Sequence, residues 1–124
     1  MRVLVIDDDA RLRQVLTRLL RTGGFDAVDE ASDGEEALQF LLVTHPDLIL
    51  TDCQMPRLDG IGFVRKLRAR GDTTPVIMLS GHGDPHQVVI AVKAGVNNYL
   101  PKPINPEVLF EKIEQTLGIH RTQC

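Results

Sequence analysis

The chain has 124 residues, of which 43% are hydrophobic and 25% charged, and its formal net charge is −3. These values fit one compact domain and exclude a disordered chain, a collagen-like repeat and a low-complexity tract. The excess of acids over bases argues against a nucleic-acid binder, because phosphate contacts need a basic surface. We therefore treat residues 1–124 as a single domain.

The cysteine content and the apolar runs indicate whether the protein is secreted or inserted in a membrane. The two cysteines, Cys53 and Cys124, do not suggest the disulfide framework of a small secreted protein. The apolar start at residues 3–6 is too short for a signal peptide, and no apolar run approaches the ~18 residues of a membrane span. We expect a protein that does not associate with membranes.

Five short apolar segments predict β-strands, at residues 3–6, 25–28, 48–50, 76–79 and 98–100. Three of them are continuously apolar rather than alternating. Continuous apolar strands are typical of a parallel sheet that is covered on both faces.

Helical patterns follow each predicted strand. The first helix spaces its apolar residues three or four apart and ends at the glycine pair 23–24. The predicted N-cap residues are Asp9, Asp33, Asp59, Asp84 and Asn105, and Glu36 completes a capping box with Asp33. The residues assigned to buried helix faces are Leu12, Val15, Leu16, Leu19 and Leu20, then Ala37, Leu38, Leu41 and Leu42, then Ile61, Phe63, Val64 and Leu67, and finally Leu109, Phe110, Ile113 and Leu117.

The fourth helical segment, residues 87–92, has the composition of a strand but the flanking residues of a helix. We interpret it as a helix, which requires Val89 or Ile90 to point partly outward. Such an apolar patch indicates a partner surface. Isolated apolar surface residues are an equally good interpretation.

Alternating strands and helices predict an α/β fold with a parallel sheet, whose ligands bind beyond the carboxyl ends of the strands. Acidic residues follow the first and third strands there, a serine follows the fourth and a lysine the fifth. These residues are Asp7, Asp8 and Asp9, then Asp52, Ser80 and Lys102. We expect Asp9 to act only as a helix cap.

Asp7, Asp8 and Asp52 would crowd like charges unless a cation lies among them. Carboxylate oxygens without histidine or cysteine favour Mg²⁺ or Mn²⁺ over Zn²⁺. Lys102 and Ser80 add a charge and a hydroxyl that suit phosphoryl transfer, with Asp52 as nucleophile. The residues alone leave open whether an aspartyl phosphate here is an enzyme intermediate or a signal.

The chain resembles the response-regulator receiver domains of two-component signalling from end to end. The residues that carry the resemblance are Asp7-Asp8, Asp52, Met55-Pro56, Asp59-Gly60, Ser80, Tyr99 and Lys102-Pro103, in this order and on the expected elements. The resemblance implies a flavodoxin-like, doubly wound sheet of five strands in the order 2-1-3-4-5, with five helices on its two faces.

The resemblance also implies a role for each site residue. Asp52 is the phosphoacceptor, and Asp7, Asp8, Asp52 and the backbone carbonyl of Gln54 hold Mg²⁺. The phosphoryl group contacts Ser80, Lys102 and the N–H groups of Gln54 and Gly81. Ser80 and Tyr99 are the switch residues, and the Lys102–Pro103 peptide bond is cis.

The implied phosphodonor is a phosphohistidine on a sensor histidine kinase or a histidine phosphotransfer protein, in the cytoplasm of a bacterium. Phosphorylation changes the face formed by the fourth helix, fifth strand and fifth helix, which is also a possible dimer interface. The chain would then be a phosphoacceptor that catalyses only its own phosphorylation and dephosphorylation. The Arg11 and Arg18 side of the first helix is a candidate docking surface for the kinase.

Two other functions stay open at this point. A small phosphohydrolase or phosphotransferase also forms an aspartyl phosphate, but it usually has an acid where this chain has Gln54. The second alternative is an interaction module that keeps the fold without being phosphorylated.

Gln54 and His82 occupy positions that tune phosphoryl lifetime in the family. The output pathway is open, and the chain fits a stand-alone regulator or the receiver of a longer protein.

Overall fold

The structure, a computed structural model, describes residues 1–81 and 85–119. His82, the predicted cap Asp84 and Cys124 lie outside the described residues. Strands and helices alternate along the chain: β1 (Arg2–Ile6), α1 (Ala10–Thr22), β2 (Ala27–Ala31), α2 (Gly34–Phe40), β3 (Leu48–Asp52), α3 (Gly60–Ala69), β4 (Val76–Ser80), α4 (Pro85–Ala94), β5 (Asn98–Pro101) and α5 (Pro106–Leu117).

All five strands pair in parallel, in the order β2-β1-β3-β4-β5. This confirms the predicted flavodoxin-like fold and strand order. The register places Asp52 beside Leu79 and Ser80 beside Pro101. The last residues of β3, β4 and β5 therefore lie together at one edge of the sheet.

Side chains that alternate along the strands build a core on each face of the sheet. From β1, Leu4 and Ile6 pack toward α2, α3 and α4, whereas Val3 and Val5 pack toward α1 and α5. All four are essentially inaccessible to solvent. Burial of each such side chain stabilises the fold by about 1.5–3 kcal/mol, so the sheet is stabilised from both of its faces.

The predicted N-caps are confirmed for the four helices whose cap residues are described. Asp9, Asp33, Asp59 and Asn105 each accept a backbone N–H of the first helical turn. The capping box is different from the prediction. The Glu36 carboxylate accepts the Ser32 hydroxyl at 2.8 Å instead of returning to the cap residue.

Three sequence predictions are wrong in detail. β2 begins at Ala27 rather than at residue 25, because its pairing with β1 runs from Arg2–Ala27 to Ile6–Ala31 and leaves Phe25 buried before the strand. Val15 is 54% exposed, since α1 turns Leu16 and Leu20 toward the sheet. Leu42 is 61% exposed, because α2 ends at Phe40.

Helix α4 presents apolar side chains to solvent, as its composition predicted. Val89 is 52% and Val92 58% exposed, while the buried residues of this helix are the small Ala91 and Ala94. Within the described ranges, none of the helices combines the length and apolar character needed to traverse a bilayer.

Candidate functional site

Four strands deliver the predicted site residues to the carboxyl edge of the sheet. Asp7 follows β1, Asp52 ends β3, Ser80 ends β4 and Lys102 follows β5. Asp7, Asp52 and Ser80 are buried, whereas Asp8 is exposed. Asp7, Asp8 and Asp52 each place a carboxylate oxygen within 4.8 Å of the others. The structure thus brings the three predicted metal-binding carboxylates together.

Asp7 is the most buried of these carboxylates. Its Oδ1 accepts the Asp9 N–H at 2.9 Å, but its buried Oδ2 accepts no hydrogen bond from any residue that the structure describes. Burial, with the nearby charges of Asp52 and Asp8, raises the pKa of Asp7 against the opposing effects of the Asp9 N–H and Lys102. A buried carboxylate oxygen that faces two more carboxylates, with the Lys102 ammonium 3.6 Å away, fits a divalent cation.

Asp52 has two unequal carboxylate oxygens. Oδ1 accepts the Cys53 N–H at 2.8 Å and the Lys102 ammonium at 3.2 Å. Among the described residues, no hydrogen bond reaches Oδ2. One oxygen is therefore held in place by protein donors, and the other remains available for a ligand or for nucleophilic attack.

Lys102 places its ammonium between two acids. Nζ lies 3.2 Å from Asp52 Oδ1 and 3.6 Å from Asp7 Oδ2, and its side chain is 26% exposed. Burial alone would lower the pKa of Lys102, but the Asp52 and Asp7 carboxylates outweigh it and raise that pKa. The backbone is fixed as well: the Lys102 N–H donates to the Ser80 carbonyl at 2.7 Å, and the Lys102–Pro103 bond is cis.

The remaining predicted site residues lie around this cluster. Gln54 is exposed in the loop between β3 and α3, which is closed by a 2.8 Å bond from the Gly60 N–H to the Cys53 carbonyl. Gly81 is exposed directly after β4. Tyr99 is half-buried on β5, beside Met78, and packs on the core that includes α3 and α4.

Four contacts near the site were not predicted from the sequence. The Arg13 guanidinium donates to the Asp7 carbonyl and to Glu30 at 3.2 Å. Arg57 pairs with Asp33, and the Cys53 thiol lies 3.6 Å from Gln87 Oε1. These partners are 6 to 34 residues apart in the chain. No local spacing rule marks such pairs.

Comparison with known proteins agrees with this geometry. The family model described as the response regulator receiver domain matches residues 3–114. A chemotaxis protein CheY homologue of Campylobacter jejuni is 41% identical over 122 residues, which cover 95% of this chain and 93% of the relative. Response regulator MprA of Mycobacterium leprae is 39% identical over 94% of this chain, but over only 51% of its own length. The solved structure of the chemotaxis protein CheY4 of Vibrio cholerae has a TM-score of 0.88 and 32% identity, covering 94% of this chain and 98% of that one.

Proposed function

This chain belongs to the response regulator receiver domain family, and from that membership we propose that it carries a two-component signal as a phosphoryl group on Asp52. Receiver domains are phosphoacceptors that interact with histidine kinases or phosphotransfer proteins. The observation that carries the proposal is the asymmetry of Asp52, whose Oδ1 is held by two donors while no described residue donates to Oδ2.

The proposed reaction takes the phosphoryl group from a phosphohistidine of a partner protein. Asp52 Oδ2 attacks phosphorus, and an O–P bond forms as the P–N bond to the imidazole breaks. The bonding electron pair leaves with the imidazole nitrogen, which takes a proton from solvent when it needs one. Asp52 reacts as the ionised carboxylate, so no proton has to leave it.

Lys102 supplies positive charge where the phosphoryl oxygens carry negative charge. Its ammonium is already 3.2 Å from Asp52 Oδ1, so a phosphoryl group on Oδ2 is within its reach. The Ser80 hydroxyl and the N–H groups of Gln54 and Gly81 are the proposed hydrogen-bond donors to the same oxygens. All four groups come from the segments that end at this edge of the sheet.

Asp7, Asp8, Asp52 and the backbone carbonyl of Gln54 are the proposed ligands for Mg²⁺, for which Mn²⁺ can substitute. The buried Oδ2 of Asp7, which accepts no hydrogen bond from a described residue, and the 4.8 Å carboxylate cluster support this assignment. When bound, the cation would offset part of the negative charge of the carboxylates and of the phosphoryl oxygens. Lys102 is paired with two of these acids and offsets only part of their negative charge, so adding a phosphoryl group without the cation is electrostatically unfavourable.

The proposed output is a change of the surface formed by α4, β5 and α5. Ser80 would move toward the new phosphoryl oxygens, and Tyr99, two pairs back along the β4–β5 register, would turn inward. The exposed Val89 and Val92 lie on this surface, where a partner protein or a second copy would bind. Names of relatives such as the C. jejuni homologue point to chemotaxis as one such output.

Beryllofluoride with Mg²⁺ tests the proposal, because it mimics a phosphoryl group on an aspartate. We expect saturable amide shifts at Ser80, Gly81 and Tyr99 in the wild type and none in Asp52→Asn. A wild type without any response would contradict the proposal and favour an interaction module that is not phosphorylated.

A phosphohydrolase or phosphotransferase is the second candidate from the same chemistry. Gln54 stands two residues after Asp52, where such an enzyme needs an acid to protonate the leaving group. A carboxamide has no such proton to give. Hydrolysis of a phosphate ester far beyond one equivalent would overturn this exclusion, and we expect none.

A further inference from the structure

The loop between β3 and α3 carries Gln54 and is attached to the rest of the protein at its two ends and near its tip. Its ends are joined by the Gly60 N–H, which donates to the Cys53 carbonyl at 2.8 Å. Near its tip, Arg57 forms an ion pair with Asp33, the residue that caps α2. Residues 54–56, which include Gln54, form no β-sheet hydrogen bonds with the described strands.

Asp33 is an unusual partner for an exposed arginine because it is buried. Its side chain is 4% exposed, against 69% for Arg57. Its Oδ1 accepts the Glu36 N–H at 2.9 Å, and its Oδ2 faces the guanidinium. The Glu36 N–H first, and then Arg57, hold the pKa of Asp33 below its usual value. Oδ1 therefore caps α2, and Oδ2 binds the arginine of the loop.

The loop has an uncommon backbone conformation at Arg57 and packs closely on α2 at the next residue. Arg57 has φ 68°, in the left-handed region that glycine or asparagine normally occupies. Arginine there costs roughly 1 kcal/mol, which the folded structure has to offset. The next residue, Leu58, packs directly on Gly34, where an added Cβ would lie 3.0 Å from the Leu58 side chain and carbonyl.

We infer that the Arg57–Asp33 ion pair positions the loop for metal binding by fixing the backbone of residues 54–56 against α2, so that the Gln54 carbonyl faces Asp7, Asp8 and Asp52. The inference rests on the proposed function, which assigns that carbonyl as a ligand. Arg57 and Asp33 do not touch the metal site. They act through the loop, as partners that orient ligands do in other metal sites.

Two substitutions remove the pair and leave the local backbone satisfied. Asp33→Asn keeps a cap, because asparagine caps helices as well as aspartate does, and loses only the charge. Arg57→Gly loses the guanidinium and suits the positive φ. Arg57→Gly also tests the inference independently if Asp33→Asn weakens α2.

A matched control comes from α2, which Asp33 caps, and α3, which follows the loop. Lys66 of α3 pairs with Glu35 of α2 at 3.8 Å, with both side chains about half exposed, and neither residue belongs to the loop. Lys66→Gln therefore removes an α2–α3 ion pair and one charge without releasing the loop.

The measurement is titration of each metal-free protein with MgCl₂ by isothermal calorimetry. We expect both variants to bind Mg²⁺ about tenfold more weakly, the lower end of what the loss of a ligand-orienting partner costs. The double variant should be no weaker than the weaker single variant, since both remove one interaction. Lys66→Gln should bind as the wild type does.

Charge alone predicts a different pattern, because Asp33→Asn removes a negative charge and Arg57→Gly a positive one. Long-range electrostatics would weaken Mg²⁺ binding in the first and strengthen it in the second. Opposite shifts, or wild-type affinity in both variants, would overturn the inference while leaving the proposed function intact. A wild type that does not bind Mg²⁺ would instead overturn the proposed metal site, and the inference with it.

Discussion

Lys102 Nζ lies 3.2 Å from Asp52 Oδ1, where it shares that oxygen with the Cys53 N–H. The same ammonium is 3.6 Å from Asp7 Oδ2, so one cation offsets part of the repulsion between two buried acids. Among the described residues, none donates a hydrogen bond to Asp52 Oδ2. The proposed nucleophile therefore lies beside the ammonium and the carboxylates to which the proposed reaction assigns roles.

Replacing Lys102 by methionine should destabilise the metal-free protein and slow phosphorylation. Removing one partner of a buried ion pair costs about 3–5 kcal/mol, and we expect about 1–2 here because the lysine is partly exposed. Urea unfolding without Mg²⁺ measures the change. Lys112→Met on α5 is the control, since Lys112 forms no ion pair with a described residue. Equal stability of the two variants would contradict the role given to Lys102.

Asp7→Asn should have opposite effects on folding and on metal binding. Burial and the neighbouring carboxylates penalise the charged form of Asp7, so asparagine should stabilise the metal-free protein at neutral pH. The same change removes a proposed ligand, so Mg²⁺ should no longer raise the melting temperature. Calorimetric melting with and without Mg²⁺ measures both effects. Loss of stability in the metal-free variant would argue against the electrostatic strain described here.

Gly60→Ala should disrupt the site through packing alone. A Cβ at this position would lie 2.3 Å from the Asp52 carbonyl oxygen and 3.1 Å from Cys53 Cα, both of them backbone atoms that cannot rotate away. We expect a loss of about 3 kcal/mol in unfolding free energy. At Gly81 an added Cβ meets no described residue within 4 Å, so Gly81→Ala should unfold at nearly the wild-type denaturant concentration.

Asp33 should contribute to acid unfolding. Its pKa is lower in the folded protein than the ordinary value of 3.8, so it stabilises the fold above pH 3.8. That contribution is lost as pH falls from 3.8 through the folded pKa, because the native carboxylate must then be protonated. Asp33→Asn removes the titration, and its stability should fall less steeply than that of the wild type below pH 3.8. Parallel stability curves of the two proteins in this range would contradict the shift.

Much of the fold follows from local patterns in the sequence. Continuous apolar strands such as Val76–Ser80 can only be buried on both faces, and Asp9, Asp33 and Asn105 cap the helices that they precede. The errors arise where tertiary contacts decide. The start of β2 is set by pairing with β1, and the exposure of Leu42 by the point at which α2 ends.

Part of the candidate site was also predictable from the sequence, because the positions of its residues after the strands determine where they lie. Parallel strands align their carboxyl ends, so Asp7, Asp52 and Lys102 could be placed together from their positions alone. The 3.2 Å Lys102–Asp52 contact is consistent with that expectation. The Arg57–Asp33 pair was not predictable, because it depends on a left-handed backbone at an arginine and on a partner 24 residues away.

Intact mass after incubation with acetyl phosphate and Mg²⁺ tests the central claim most directly. We predict that the wild type gains one phosphoryl group of about 80 Da, and that Asp52→Asn gains none. Acetyl phosphate needs no partner protein, so the unknown identity of the kinase does not affect the result. An unmodified wild type, or an adduct that persists in Asp52→Asn, would contradict the assignment of Asp52 as the phosphoacceptor.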